Sequence, residues 1–142
     1  MSAPYTGHCA CGAVHAVIGG EPVRVGSCWC RQCQQVAGGG ATYNAMFLAA
    51  DCNLTGFVAE RSYRAASGNT LTLGFCKQCF APVSIRSAQR PQFLGLRLGF
   101  LDEGHGLRPG NAIWLAEAPD WACIDPALDH YPAQPPAPTA KA

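Results

Sequence analysis

Charge is what this 142-residue sequence has least of: Asp, Glu, Lys and Arg together make up 13%. The ten basic residues are dispersed, with no run of three. That argues against a phosphate-backbone partner, which selects clustered Lys and Arg with interleaved aromatics. No apolar run approaches the roughly 18 residues of a membrane span. The opening Met-Ser-Ala-Pro-Tyr-Thr-Gly has no basic segment followed by an apolar one. It does not read as a secretion signal, so a cytoplasmic, thiol-reducing location is expected. Internal repeats are missing too. So is any stretch of a dozen residues with a 3.6-residue apolar period, which excludes a helical bundle.

What the sequence does have is Gly (16), Pro (11) and Cys (9). Glycine and proline in that number mark turns between short strands. Alternation or β-rich composition predicts strands at 14–18, 23–25, 42–48, 70–75, 82–86, 93–100 and 112–115. One or two helical turns are expected over 31–37, stopped by Gly38-Gly39-Gly40. The reading is a single, mainly antiparallel β domain over residues 1–132. A Pro/Ala-rich tail at 133–142 has nothing to bury and is expected to be disordered.

Seven of the nine cysteines fall into three clusters: Cys9 and Cys11; Cys28, Cys30 and Cys33; Cys76 and Cys79. An odd total and C-x-C spacing speak against a disulfide framework and for a metal. Four plus three is the count of one closed tetrahedral zinc and one with an open position. Pairing Cys9/Cys11 with Cys76/Cys79 closes a loop of about 65 residues, where a metal constrains the unfolded chain strongly. Cys28, Cys30 and Cys33 then cap one face of a second ion. A competing division joins Cys28 and Cys30 to Cys76 and Cys79, and spacing alone does not separate the two. The fourth corner of the second site is open to water or substrate, unless Cys52, Cys123, His8, His15, His105 or His130 fills it. Cys52 reads as an incidental thiol in a turn and Cys123 as a small buried apolar residue. His15 reads as a packed or surface strand residue and His105 as a loop residue. With seven thiolates and two divalent ions the net charge moves from +1 to about −2, a further argument against nucleic acid.

The segments His8-Cys9-Ala10-Cys11-Gly12-Ala13-Val14, Cys28-Trp29-Cys30-Arg31-Gln32-Cys33 and Phe75-Cys76-Lys77-Gln78-Cys79 resemble the glutathione-dependent formaldehyde-activating enzyme family, which includes centromere protein V. Leu96 to Asp102 and the pair Asp120-Trp121 extend the resemblance, which covers about residues 7–132. It implies a β-tent of small antiparallel sheets stapled by two zinc ions. Cys9, Cys11, Cys76 and Cys79 would be structural, and Cys28, Cys30 and Cys33 would be at the substrate zinc. It also implies a carbon–sulfur lyase reaction, the condensation of glutathione with formaldehyde to S-hydroxymethylglutathione. Two residues depart from the family pattern. Phe80 stands where glycine is usual after the last knuckle cysteine, a place where positive φ is tolerated. Trp29 stands where histidine is common, and an indole neither ligates zinc nor accepts a proton; it is expected to wall a substrate instead.

Three thiolates make the second ion a modest Lewis acid, better suited to capturing a thiol than to making hydroxide. The expected co-substrates are therefore a small thiol, such as glutathione, and an aldehyde. Tyr43, Asn44 and Arg97 are candidate proton donors because their strands can border the triad. Their plainer readings are a core edge, a strand-end polar group and a solvated strand face. Arg31 is a candidate for attracting a substrate carboxylate, or a water-facing charge. The alternatives are a glutathione carrier without turnover and a zinc-dependent binding module. A thiol–disulfide protein would want a βαβ pattern beside Cys76 and Cys79, which is missing.

Overall fold

The computed structural model describes residues 2–138. Eleven strands among these residues form two sheets. The smaller has the order β1 (Tyr5–His8), β2 (His15–Ile18), β5 (Cys52–Thr55) and is antiparallel throughout. The larger runs β11 (Asp129–His130), β10 (Asn111–Ile113), β3 (Arg24–Cys28), β4 (Thr42–Leu48), β9 (Phe93–Arg97), β8 (Pro82–Ser87), β7 (Thr70–Cys76), β6 (Val58–Arg64). The mainly antiparallel β reading holds. Parallel pairs occur at one edge, where β10 lies against β3 and β11. No described helix is long and apolar enough to cross a membrane.

Period-two alternation gives the large sheet two different faces. Ala45 pairs with Leu96 and Phe47 with Leu94, and this face turns toward the small sheet. There Phe47, Leu96 and Val83 meet Tyr5, Val14, Ala16 and Ile18, all essentially shielded from water. The Tyr5 and Phe47 rings meet tilted by 54°, with 5.9 Å between centroids. Each such side chain contributes about 1.5–3 kcal/mol through burial. The opposite face carries the other half of the register: Asn44 opposite Arg97, Met46 opposite Gly95, Ile85 opposite Gly95, and Leu71 opposite Ser87 and Tyr63. This second face is free of the core and floors a cleft. A Cβ on Gly95 would stand 2.7 Å from Ile85 Cγ2, which is why the floor has no side chain there.

The helix α1 (Arg31–Ala37) ends at Gly38 in the left-handed region, φ +75°. Cys52, expected in a turn at 51–53, opens strand β5 and packs against the core. Strand β1 escaped the sequence pattern because Gly7 takes one of its two buried positions, and β6 because most of its residues are exposed. Residues 98–100, expected to continue a strand, turn instead, closed by the Phe100 N–H on Arg97 O at 2.9 Å. Leu115 begins a 3-10 turn rather than ending a strand. Of the segment 133–142, residues 139–142 lie outside the described residues. Before them, Gln134 Oε1 accepts from Trp114 Nε1 at 3.1 Å, and Pro136 O accepts from an Arg24 guanidinium nitrogen at 3.0 Å.

Phe80 adopts φ +62° and is 75% exposed. A bulky side chain pays a backbone cost there and returns little packing. Phe80→Gly is expected to stabilise the protein by about 0.5–1 kcal/mol, read as a higher denaturant midpoint at unchanged slope; Phe80→Ala, which keeps its Cβ, should gain less.

Candidate metal and thiol site

Two cysteine groups assemble. Cys9, Cys11, Cys76 and Cys79 bring their sulfurs within 4.8 Å of one another, and Cys28, Cys30 and Cys33 do the same elsewhere. The first group joins the turn after β1 to the turn after β7. Cys9–Cys11 and Cys11–Cys76 sulfur separations are 3.7 and 3.8 Å. A tetrahedral zinc with sulfur ligands at about 2.3 Å has edges of about 3.8 Å. Backbone N–H groups point at these sulfurs: Val14 on Cys9 at 3.2 Å, and Gln78 and Cys79 on Cys76 at 3.4 Å each. Burial pushes the Cys9 thiol up, but the Val14 N–H and the neighbouring sulfurs pull it down to about 6. An all-sulfur donor set of this size, with amides aimed at the sulfurs, fits a closed zinc site.

The triad sits where β3 hands over to α1. Cys28 ends β3, Cys30 caps the helix, its sulfur accepting from the Cys33 N–H at 3.4 Å, and Cys33 lies buried in the first turn. The turn is clamped from outside. Gln34, itself buried, donates to Trp29 O at 2.7 Å and Glu117 O at 2.9 Å. Glu117 Oε2 accepts from the Arg31 N–H at 2.8 Å. Hydrogen bonds from Cys28 and Cys30 hold Cys33 down to about 3 against its burial, with Thr42 and the Arg97 charge adding to the pull. Bonds to Cys30 and Cys33 push Cys28 well up. The three soft donors fit a zinc ion that leaves one position to the cleft. Among the described residues no His, Cys, Asp or Glu joins them as a fourth ligand, so neither Cys52 and Cys123 nor His8, His15, His105 and His130 closes the site.

The triad opens onto a cleft with a cavity volume of about 150 Å³. Its walls include Asn44, Met46, Tyr63, Leu71, Ile85, Arg90 and Phe93. Arg97, read as a solvated strand face, is instead 5% exposed. It donates to Asn44 Oδ1 at 2.7 Å, while its Nε has no partner among the described residues. Burial lowers its proton affinity, and the charge on Cys33, foremost, sustains it. Asn44 is thus both a cleft residue and the anchor of Arg97. Tyr43 and Trp29 point elsewhere. Both line a separate groove with Arg108 and Pro109, Tyr43 exposed and Trp29 buried, so Trp29 does not wall the triad cleft. Arg31 is exposed. Cys123 is exposed, not buried, because the segment around it forms no strand. Tyr63 is the cleft residue the sequence did not single out. Burial, then the negative charge of Cys33, Cys30 and Cys28, pushes its hydroxyl pKa up. Its β6 neighbours alternate too weakly to have marked a buried side.

A family model described as glutathione-dependent formaldehyde-activating enzyme matches residues 4–117. The chain belongs to this family. A Rhodobacter sphaeroides protein solved as a Northeast Structural Genomics target has a similar fold, with a TM-score of 0.54 and 21% identity over 73% of this chain and 91% of that one. No curated protein matches the chain. The family match takes in both cysteine groups and ends at Glu117, the residue that clamps the triad turn.

The two groups are expected to respond differently to loss of one sulfur. Cys76→Ser should cost several kcal/mol and leave the protein unfolded or barely folded. Cys30→Ser should stay folded and lose one equivalent of metal, measured by elemental analysis beside a thermal melt. Equal behaviour of the two variants would break the division.

Proposed function

We propose that the protein is a zinc-dependent carbon–sulfur lyase acting on the aldehyde adduct of a small thiol, with S-hydroxymethylglutathione the adduct that family membership favours. The observation that carries this reading is a three-sulfur cluster, short of a fourth described ligand, opening onto a cleft. A zinc ion held by Cys28, Cys30 and Cys33 would supply Lewis acidity and keep an entering thiol deprotonated at neutral pH.

The protein's own residues supply the rest. The cleft holds the thiol sulfur beside the aldehyde carbon. The thiol gives up its proton to water, its sulfur lone pair forms the C–S bond, and the carbonyl π electrons move to oxygen. That oxygen must then be protonated. Tyr63, which shares the cleft with the triad, is our assignment for the donor; an ordinary phenol is protonated at neutral pH. Water reprotonates it. Buried Arg97, fixed by Asn44, supplies positive charge near the charge that develops. In the reverse direction the same groups expel the aldehyde.

Metal-loaded protein should speed formation of S-hydroxymethylglutathione from formaldehyde and glutathione, followed by NMR exchange. Tyr63→Phe should lower that rate by roughly 10²-fold at unchanged metal content. Thiol binding with the adduct forming at its uncatalysed rate would make the protein a carrier and end the lyase reading.

A further inference from the structure

We infer that the cleft selects an aldehyde bearing an apolar chain or ring, seated in a trough between Met46 and Ile85. This rests on the thiol–aldehyde reading of the site and specifies its aldehyde class.

Strand register divides the cleft floor into two rows. Asn44 on β4 stands opposite Arg97 on β9, which makes a polar row. Two residues away on each strand, roughly 7 Å, Met46 stands opposite Gly95, and Gly95 opposite Ile85 on β8. Cys28 pairs with Thr42, so along β4 the polar row comes first from the triad and the apolar row second. Met46, Gly95 and Ile85 line the cleft together with the three cysteines, and Leu71 extends the apolar surface onto β7. Met46, Ile85 and Leu71 are only half-buried, although each is a large apolar side chain. Gly95, in the middle of the row, adds no side chain and leaves a trough between its neighbours. Of the two cations in the lining, Arg86 is paired with Glu60 at 2.5 Å, and Arg90 belongs to the connection from β8 to β9.

This order of rows matches the adduct. The thiol S–H adds across the C=O of the aldehyde, sulfur to carbon and hydrogen to oxygen, and no oxidant or reductant is needed. With the oxygen toward the polar row, the remaining substituent of that carbon faces the apolar one. Formaldehyde offers only hydrogen there and leaves the trough to water. A chain or ring displaces that water, and each buried methylene is worth roughly fourfold in binding. The cavity volume is about 150 Å³. An apolar cavity of roughly that volume holds one benzene-sized molecule. A tripeptide thiol is larger and presents only its sulfur end, which leaves the enclosed space to the aldehyde.

The direct test titrates metal-loaded protein with 1-pentanol and with ethanol, which carry the oxygen and the chain but no carbonyl, by ligand-observed NMR. Pentanol should bind about tenfold or more tighter than ethanol. Gly95→Ala fills the trough, and Met46→Gln keeps the side-chain length while making it polar. Each should cut the preference to about threefold or less. Met46 is half-buried, so its variant carries the test if Gly95→Ala fails to fold. In turnover with glutathione, kcat/KM for pentanal should exceed that for acetaldehyde about tenfold, and either substitution should remove most of that ratio. Equal affinity of the two alcohols, or a preference that survives both substitutions, overturns the inference. Turnover of pentanal and acetaldehyde at equal kcat/KM also overturns it and keeps the lyase reading. An alcohol preference that is lost in the variants, in a protein that turns over no thiol and aldehyde, keeps the trough and removes the lyase reading.

Discussion

The convergence of Cys9 and Cys11 on Cys76 and Cys79 fixes how the two sheets sit on each other. Cys9 and Cys76 are both in the shielded core, at the turns that end β1 and β7. Tyr5, Val14, Ala16 and Ile18 meet Phe47, Val83 and Leu96 beside that junction. An ion held by those four sulfurs would stabilise a contact between segments about 65 residues apart, where chain entropy opposes it most. With one face of the large sheet committed to this core, alternation commits the other face to the cleft. A one-residue slip of β4 would turn Asn44 and Met46 into the core and Ala45 and Phe47 outward.

The cleft therefore inherits its chemistry from strand register. Asn44 and Arg97 face each other across β4 and β9, Tyr63 reaches the same side from β6, and Cys28 enters from β3. Their convergence puts a fixed cation and a phenol beside three sulfurs. In the proposed reaction, a site of that composition would serve a thiolate nucleophile and the oxyanion it generates. The turn carrying Cys30 and Cys33 is short, and its rigidity comes from outside it, through Gln34 and Glu117. Precise placement of three sulfurs thus depends on a residue 84 positions further along than the last of them.

Much of this was legible in the sequence, and the reasons it was or was not are physical. Cysteine clustering gave both groups because sulfurs that share an ion must come in tight pairs or triads. The strand over 42–48 and the helix over 31–37 stood out because their composition and glycine stop are local signals. Phe80 stood out as a departure from the glycine usual in the family, and its φ of +62° shows the backbone keeping a conformation that glycine would take more easily. Arg97 and Tyr63 were not legible. Their burial is decided by strands distant in sequence, and an arginine on an alternating strand looks like a solvated one. Trp29 misled for a related reason: lying between two cysteines in sequence does not put its ring on their side of the turn. The parallel pairing of β10 with β3 has no local signature either.

The account stands on one ion enclosed by its own chain and a second with a vacancy facing the cleft. Loading both sites with cobalt and titrating glutathione while recording the visible spectrum addresses that asymmetry most directly. The account predicts two ions per chain, with the thiolate charge-transfer bands of one changing on addition of glutathione and those of the other constant. A spectrum that stays fixed for both ions, or a chain that retains a single ion, would contradict it.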